Sequence, residues 1–143
     1  MPLGGVDIVL RAPANEWLGD VILRACRRHW AGNRCYFQDA EDEKHVHSLE
    51  ELWVWNVGAA SKEFFVYQDA EAVSAWADGP TRSNHNTMLH FLVGEPLADE
   101  AGLVEVAVVC DKITPQIRRL VKDLDKSFSF IVADVLVRGR NAA

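Results

Sequence analysis

The sequence predicts an α+β fold, one domain spanning residues 1–143 with a mainly antiparallel sheet of five or six strands and three helices, in a two-layer or three-layer sandwich. Three observations carry that reading. Four apolar-rich runs lie between Leu49 and Cys110, namely ELWVWNV, KEFFVY, TMLHFLV and LVEVAVVC, each of strand length and separated by turn signals. Helical periodicity flanks them at residues 15–31 and 114–128. The runs also alternate, and alternation assigns each side chain to one of two unlike faces.

One face is uniformly apolar: Phe64 and Val66, then Leu89, Phe91 and Val93, then Val104, Val106 and Val108. That is the composition of a dry core surface. The alternate positions are mixed, reading Glu63, Phe65 and Tyr67, then Met88, His90 and Leu92, then Leu103, Glu105, Ala107 and Val109. If residues 58–62 close a hairpin, a symmetric register sets Trp55 opposite Phe65 and Trp53 opposite Tyr67, so both tryptophans join the mixed face.

In chain order, Val6 to Leu10 is a short run suited to an edge strand. Asn15 is placed to cap a helix reaching Ala31, with Leu18, Val21, Ile22, Ala25 and Cys26 on one stripe and Gly32 as its stop. Arg24, Arg27 and Arg28 read as its solvated, dipole-favoured side. Residues 34–38 form a strand, and the acidic stretch 39–51 a solvated loop. Asp69 caps a short helix, 70–78, that turns Val73, Trp76 and Ala77 inward. Thr114 and Pro115 open the last helix, whose stripe is Ile117, Leu120, Val121, Leu124 and Phe128. Residues 130–137 read as a further strand, with continued helix as the competing assignment. Flexible ends are expected at 1–5 and 138–143.

Composition narrows the function classes. A formal net charge of −6 argues against a role that neutralises nucleic-acid phosphates, so no nucleic-acid partner is expected. No apolar run is long enough to cross a bilayer, and the N-terminus lacks the pattern of a secretory signal, so neither membrane association nor export is expected. Three irregularly spaced cysteines fit buried reduced thiols in a cytoplasmic protein better than a disulfide framework or a zinc site. No cofactor is expected.

The mixed face supplies the candidate binding residues: Trp53, Trp55, Glu63, Phe65, Tyr67, Met88, His90 and Glu105, joined by Arg82 and His85 from the polar loop 81–87. An aromatic sheet face needs a cover, and the structural candidate is the helix at 15–31. The functional reading placed first is a non-catalytic interaction or regulatory domain, using that face for a protein partner or for homodimerisation. A second reading is an enzyme or small-ligand pocket. Symmetric closure of the 94–102 loop sets His90 beside Glu105 as an acid–base pair, although Ser74, Ser83 and the cysteines carry no nucleophile pattern. A third is an acidic inhibitor of a basic protein, through Glu41, Asp42 and Glu43. His45 and His47 project together near those acids, but two histidines make an incomplete metal site.

Overall fold

Among the residues described in the computed structural model, 6–13, 18–41, 44–48, 63–76, 87–96 and 102–141, six strands pair into one antiparallel sheet. They are β1 (Val6–Pro13), β2 (Tyr36–Asp39), β3 (His47–Ser48), β4 (Glu63–Tyr67), β5 (Met88–Pro96) and β6 (Leu103–Cys110), in the spatial order β1-β6-β5-β4-β2-β3. Helices α1 (Leu18–Cys26), α2 (Ala70–Ala75) and α3 (Pro115–Asn141) complete the α+β architecture. No helix among these residues is long and apolar enough to cross a membrane.

The apolar face is the core. Phe64, Val66, Leu89, Phe91, Val104, Val106 and Val108 are all buried, beneath Ile22 and Trp30 from the α1 region and Leu120, Leu124 and Phe128 from α3. Three rings run across the strands, Phe37 to Phe64 at 5.3 Å between centroids and Phe64 to Phe91 at 5.1 Å. Ring contacts of this kind contribute about 0.5–1.5 kcal/mol each beyond the area they bury.

Local chemistry explains the helix ends. Thr114 Oγ1 accepts the Ile117 amide at 3.2 Å, and Pro115 follows as the first helical residue, where its missing N–H costs nothing. Asp69 Oδ1 accepts the Ala72 amide at 2.8 Å in the same way for α2. After α1 the helix widens into a π turn, Arg27–Ala31, and Gly32 ends it at φ +62°, a left-handed conformation that an L side chain resists.

Four expectations are corrected. Residues 130–137 are helical, because α3 continues from Pro115 to Asn141, through most of the stretch expected to be a frayed end. A both-sided apolar run suits a long helix as well as a strand, and length settles it. The acidic stretch is not loop throughout, since His47 and Ser48 pair with Phe37 and Tyr36. The α1 region packs on the dry face with α3 and leaves the mixed face to other elements. Finally, β4 has β2 on one edge and β5 on the other, so Phe65 lies opposite Gln38 and His90, and Tyr67 opposite Tyr36 and Met88. The tryptophans of the expected hairpin, Trp53 and Trp55, lie outside the described residues.

Candidate functional site

The register arranges the mixed face into rows. One row reads Tyr36, Tyr67 and Met88 across β2, β4 and β5. The next reads Gln38, Phe65, His90, Val109 and Asp7 across β2, β4, β5, β6 and β1. Glu63, Leu92, Ala107 and Val9 form the third, and Glu105 with Arg11 the last.

The first two rows are largely covered. Tyr67, Met88 and Val109 are buried with Ala72 of α2 and with Trp76 in a second apolar cluster, against which Tyr36, Val46, Phe65 and Val73 pack. Trp76 is fixed by its indole N–H, which donates to Thr87 Oγ1 at 3.2 Å. Tyr67 donates its hydroxyl to Gln38 Oε1 at 2.6 Å, and burial pushes the phenol up to about 12, so it stays protonated as a hydrogen-bonding group. Pattern reasoning assigns Trp76 to the core. It is indeed buried, in the apolar cluster that covers this face, and which face it covers is visible only once the register is known.

His90 lies at the border of the covered zone. Its ring stacks on Phe65 at 4.6 Å between centroids, and Nε2 stands 3.4 Å from Glu63 Oε1, in ion-pair range but without hydrogen-bond alignment. Burial disfavours the imidazolium, Glu63 and Asp7 favour it, and burial prevails, holding His90 below its usual value of 6.5. The group is a neutral, buried ring at neutral pH.

The third row is open. Val9 is 55% exposed and Leu92 36% exposed, with half-buried Ala107 between them. Exposed Asp7, Arg11 and Glu105 and half-buried Glu63 surround this strip, three carboxylates to one guanidinium.

The structure brings together Glu63, Phe65, Tyr67, Met88 and His90, as the parity of the runs predicts. It separates His90 from Glu105: His90 lies opposite Val109, while Glu105 lies opposite Arg11 and beside a β-bulge, because β5 fits two residues, Gly94 and Glu95, against one of β6. The acid–base pair is therefore not assembled. Trp53, Trp55, Arg82 and His85 lie outside the described residues. The His45 and His47 rings stack 6.3 Å apart, and no group of three or more metal-ligating side chains occurs among the described residues.

A cluster that sequence reasoning missed joins the π turn to α3. Asp123 accepts hydrogen bonds from Arg28 and, at 2.9 Å, from His29 Nε2. Burial alone raises the Asp123 carboxyl, but those two donors and the Arg28 charge bring it below its usual range. Contacts about ninety residues apart leave no mark in a local pattern. No family model, curated protein or solved structure matches the chain.

Proposed function

We propose that this chain is a non-catalytic interaction domain, cytoplasmic, whose docking surface is the open strip Val9–Ala107–Leu92 on the second sheet face. The observation that carries the reading is the division of that face: α2 and Trp76 cover its Tyr67–Met88 end, whereas Val9 and Leu92, two of the three most exposed large apolar side chains among the described residues, occupy the other. An apolar centre with a charged surround is the anatomy of a protein interface. The carboxylates of Asp7, Glu63 and Glu105 select a partner with lysine or arginine around an apolar centre, consistent with a net charge of −6. Three buried, unpaired thiols suit a reducing compartment.

A non-catalytic role is favoured by the distance of His90 from Glu105 and by the burial of His90 under Phe65. The experiment is affinity capture from the native cell with the parent and with Leu92→Asp, each checked for an unchanged melting temperature. The proposal expects a protein retained by the parent, lost with Leu92→Asp and released progressively by salt. Identical captures by the two chains would reject it.

A further inference from the structure

The outer edge of β1 has a composition that fits a second copy of itself. β1 pairs with β6 at eight consecutive positions, from Val6 with Cys110 to Pro13 with Leu103, and no other described strand lies beyond it. A long regular edge offers unpaired backbone N–H and C=O groups to any approaching strand, and proteins normally blunt such edges. Here the blunting residues are Asp7 and Arg11, and their spacing is self-complementary.

We propose that two copies associate through β1, antiparallel, about a two-fold axis at Val9, extending the sheets into one. In that register Asp7 of each copy faces Arg11 of the other on the mixed face, and Val9 meets its own counterpart. On the core face, Ile8 meets Leu10 of the partner copy and so continues the apolar layer across the axis. Arg11, already opposite Glu105 within its own chain, then stands between two carboxylates. Alternative registers are penalised. A slip of two residues sets one charged side chain against Val9, a slip of four sets Asp7 against Asp7 or Arg11 against Arg11, and a slip of one opposes core-face to mixed-face positions.

The helix side of the same edge agrees. A groove of about 500 Å³ runs between β1 and α3, walled by Ile8, Leu10, Ile113 and Val121. Ile113 is 42% exposed, so β1 and the groove beside it hold two of the three most exposed large apolar residues described, Val9 and Ile113. Arg118, Lys122 and Asp125 also line the groove, giving it both signs of charge, as a self-facing surface requires. Such a dimer takes up Val9 and Asp7, at one end of the strip proposed above as a docking surface, and leaves Leu92, Ala107 and the Glu63 carboxylate uncovered for that partner.

The test is solution mass by sedimentation over a range of protein concentration, with thermal unfolding as the fold control. The parent is expected to be a dimer. Val9→Lys and Asp7→Arg place like charges across the axis and weaken association at least tenfold, the double exchange Asp7→Arg with Arg11→Asp restores it, and Leu92→Asp leaves it intact. A monomeric parent, or a dimer that tolerates both Val9→Lys and Asp7→Arg while folded, would overturn the assignment. If the single variants fail to fold, the parent mass and the double exchange decide in the same way.

Discussion

His90 and Glu63 sit on a diagonal between β5 and β4, with Nε2 and Oε1 3.4 Å apart, the imidazole side chain 10% exposed and the carboxylate side chain 43% exposed. The arrangement sets a buried ring against an acidic group on its solvent side. It also couples the covered and open parts of the mixed face, since Glu63 belongs to the same row as Leu92.

Burial of the ring gives a pH dependence that the Glu63 contact opposes. Because burial holds His90 below 6.5 in the folded chain, the unfolded chain binds more protons around that value. Stability is therefore full above about pH 6.5 and falls as the solution is acidified through it. Thermal unfolding between about pH 8 and about pH 5 should show a larger loss in the parent than in His90→Gln. Glu63→Gln removes a charge that favours the imidazolium and should steepen the loss; a parent that gains stability on acidification, relative to His90→Gln, contradicts the assignment.

The two faces differ in what truncation costs. Phe64 is 1% exposed and stacked between Phe37 and Phe91, so Phe64→Ala should destabilise by about 3–5 kcal/mol. Leu92→Ala, on the open strip, should cost less than about 1 kcal/mol, in line with surface substitutions. Denaturant midpoints of the two variants test this, and comparable losses would mean that Leu92 is covered.

Asp123 links the π turn to α3 by two charge-assisted hydrogen bonds. Its side chain is 19% exposed but that of Arg28 is 58% exposed, so solvent screens part of the gain. Asp123→Asn should lower stability at neutral pH by about 1–2 kcal/mol. A carboxyl held below its usual value of 3.8 stabilises above that pH and loses the contribution as pH falls through the lowered value. The gap between parent and Asp123→Asn should accordingly close in strong acid.

Thr114 is the capping residue of the longest helix. Thr114→Ala leaves the Ile117 amide without its side-chain acceptor and should cost about 1 kcal/mol, with Thr114→Ser restoring most of it. Urea unfolding of the two variants separates the cap from any effect of side-chain volume.

What was legible in the sequence was parity. The dry face was read correctly because alternation over three runs fixes it without knowledge of neighbours. Partners were not legible. The β5–β6 register differs from symmetric closure by four residues, an even number, so His90 and Glu105 keep their predicted face yet lose each other. The cause is that β5 runs on to Pro96, which pairs with Val104, so the turn is not centred on the 94–102 loop; the bulge at Gly94 and Glu95 then shifts the register by one residue. In the same way β4 received β2 at the edge assigned to the tryptophan run, because sequence neighbours need not be sheet neighbours. The residue that closes the mixed face, Trp76, follows a six-residue helix whose pattern says only that one side is apolar.

The central claim is that a partner sits on the Val9–Ala107–Leu92 strip, and methyl NMR of Leu92 and Ala107, the end of the strip that the β1 dimer leaves open, with and without the captured protein tests it most directly. The account predicts that the Leu92 and Ala107 methyl signals shift or broaden on binding, while those of Val66, Leu89 and Val108 in the buried core remain in place. Perturbation confined to methyls of α1 and α3, with Leu92 and Ala107 unmoved, would contradict it.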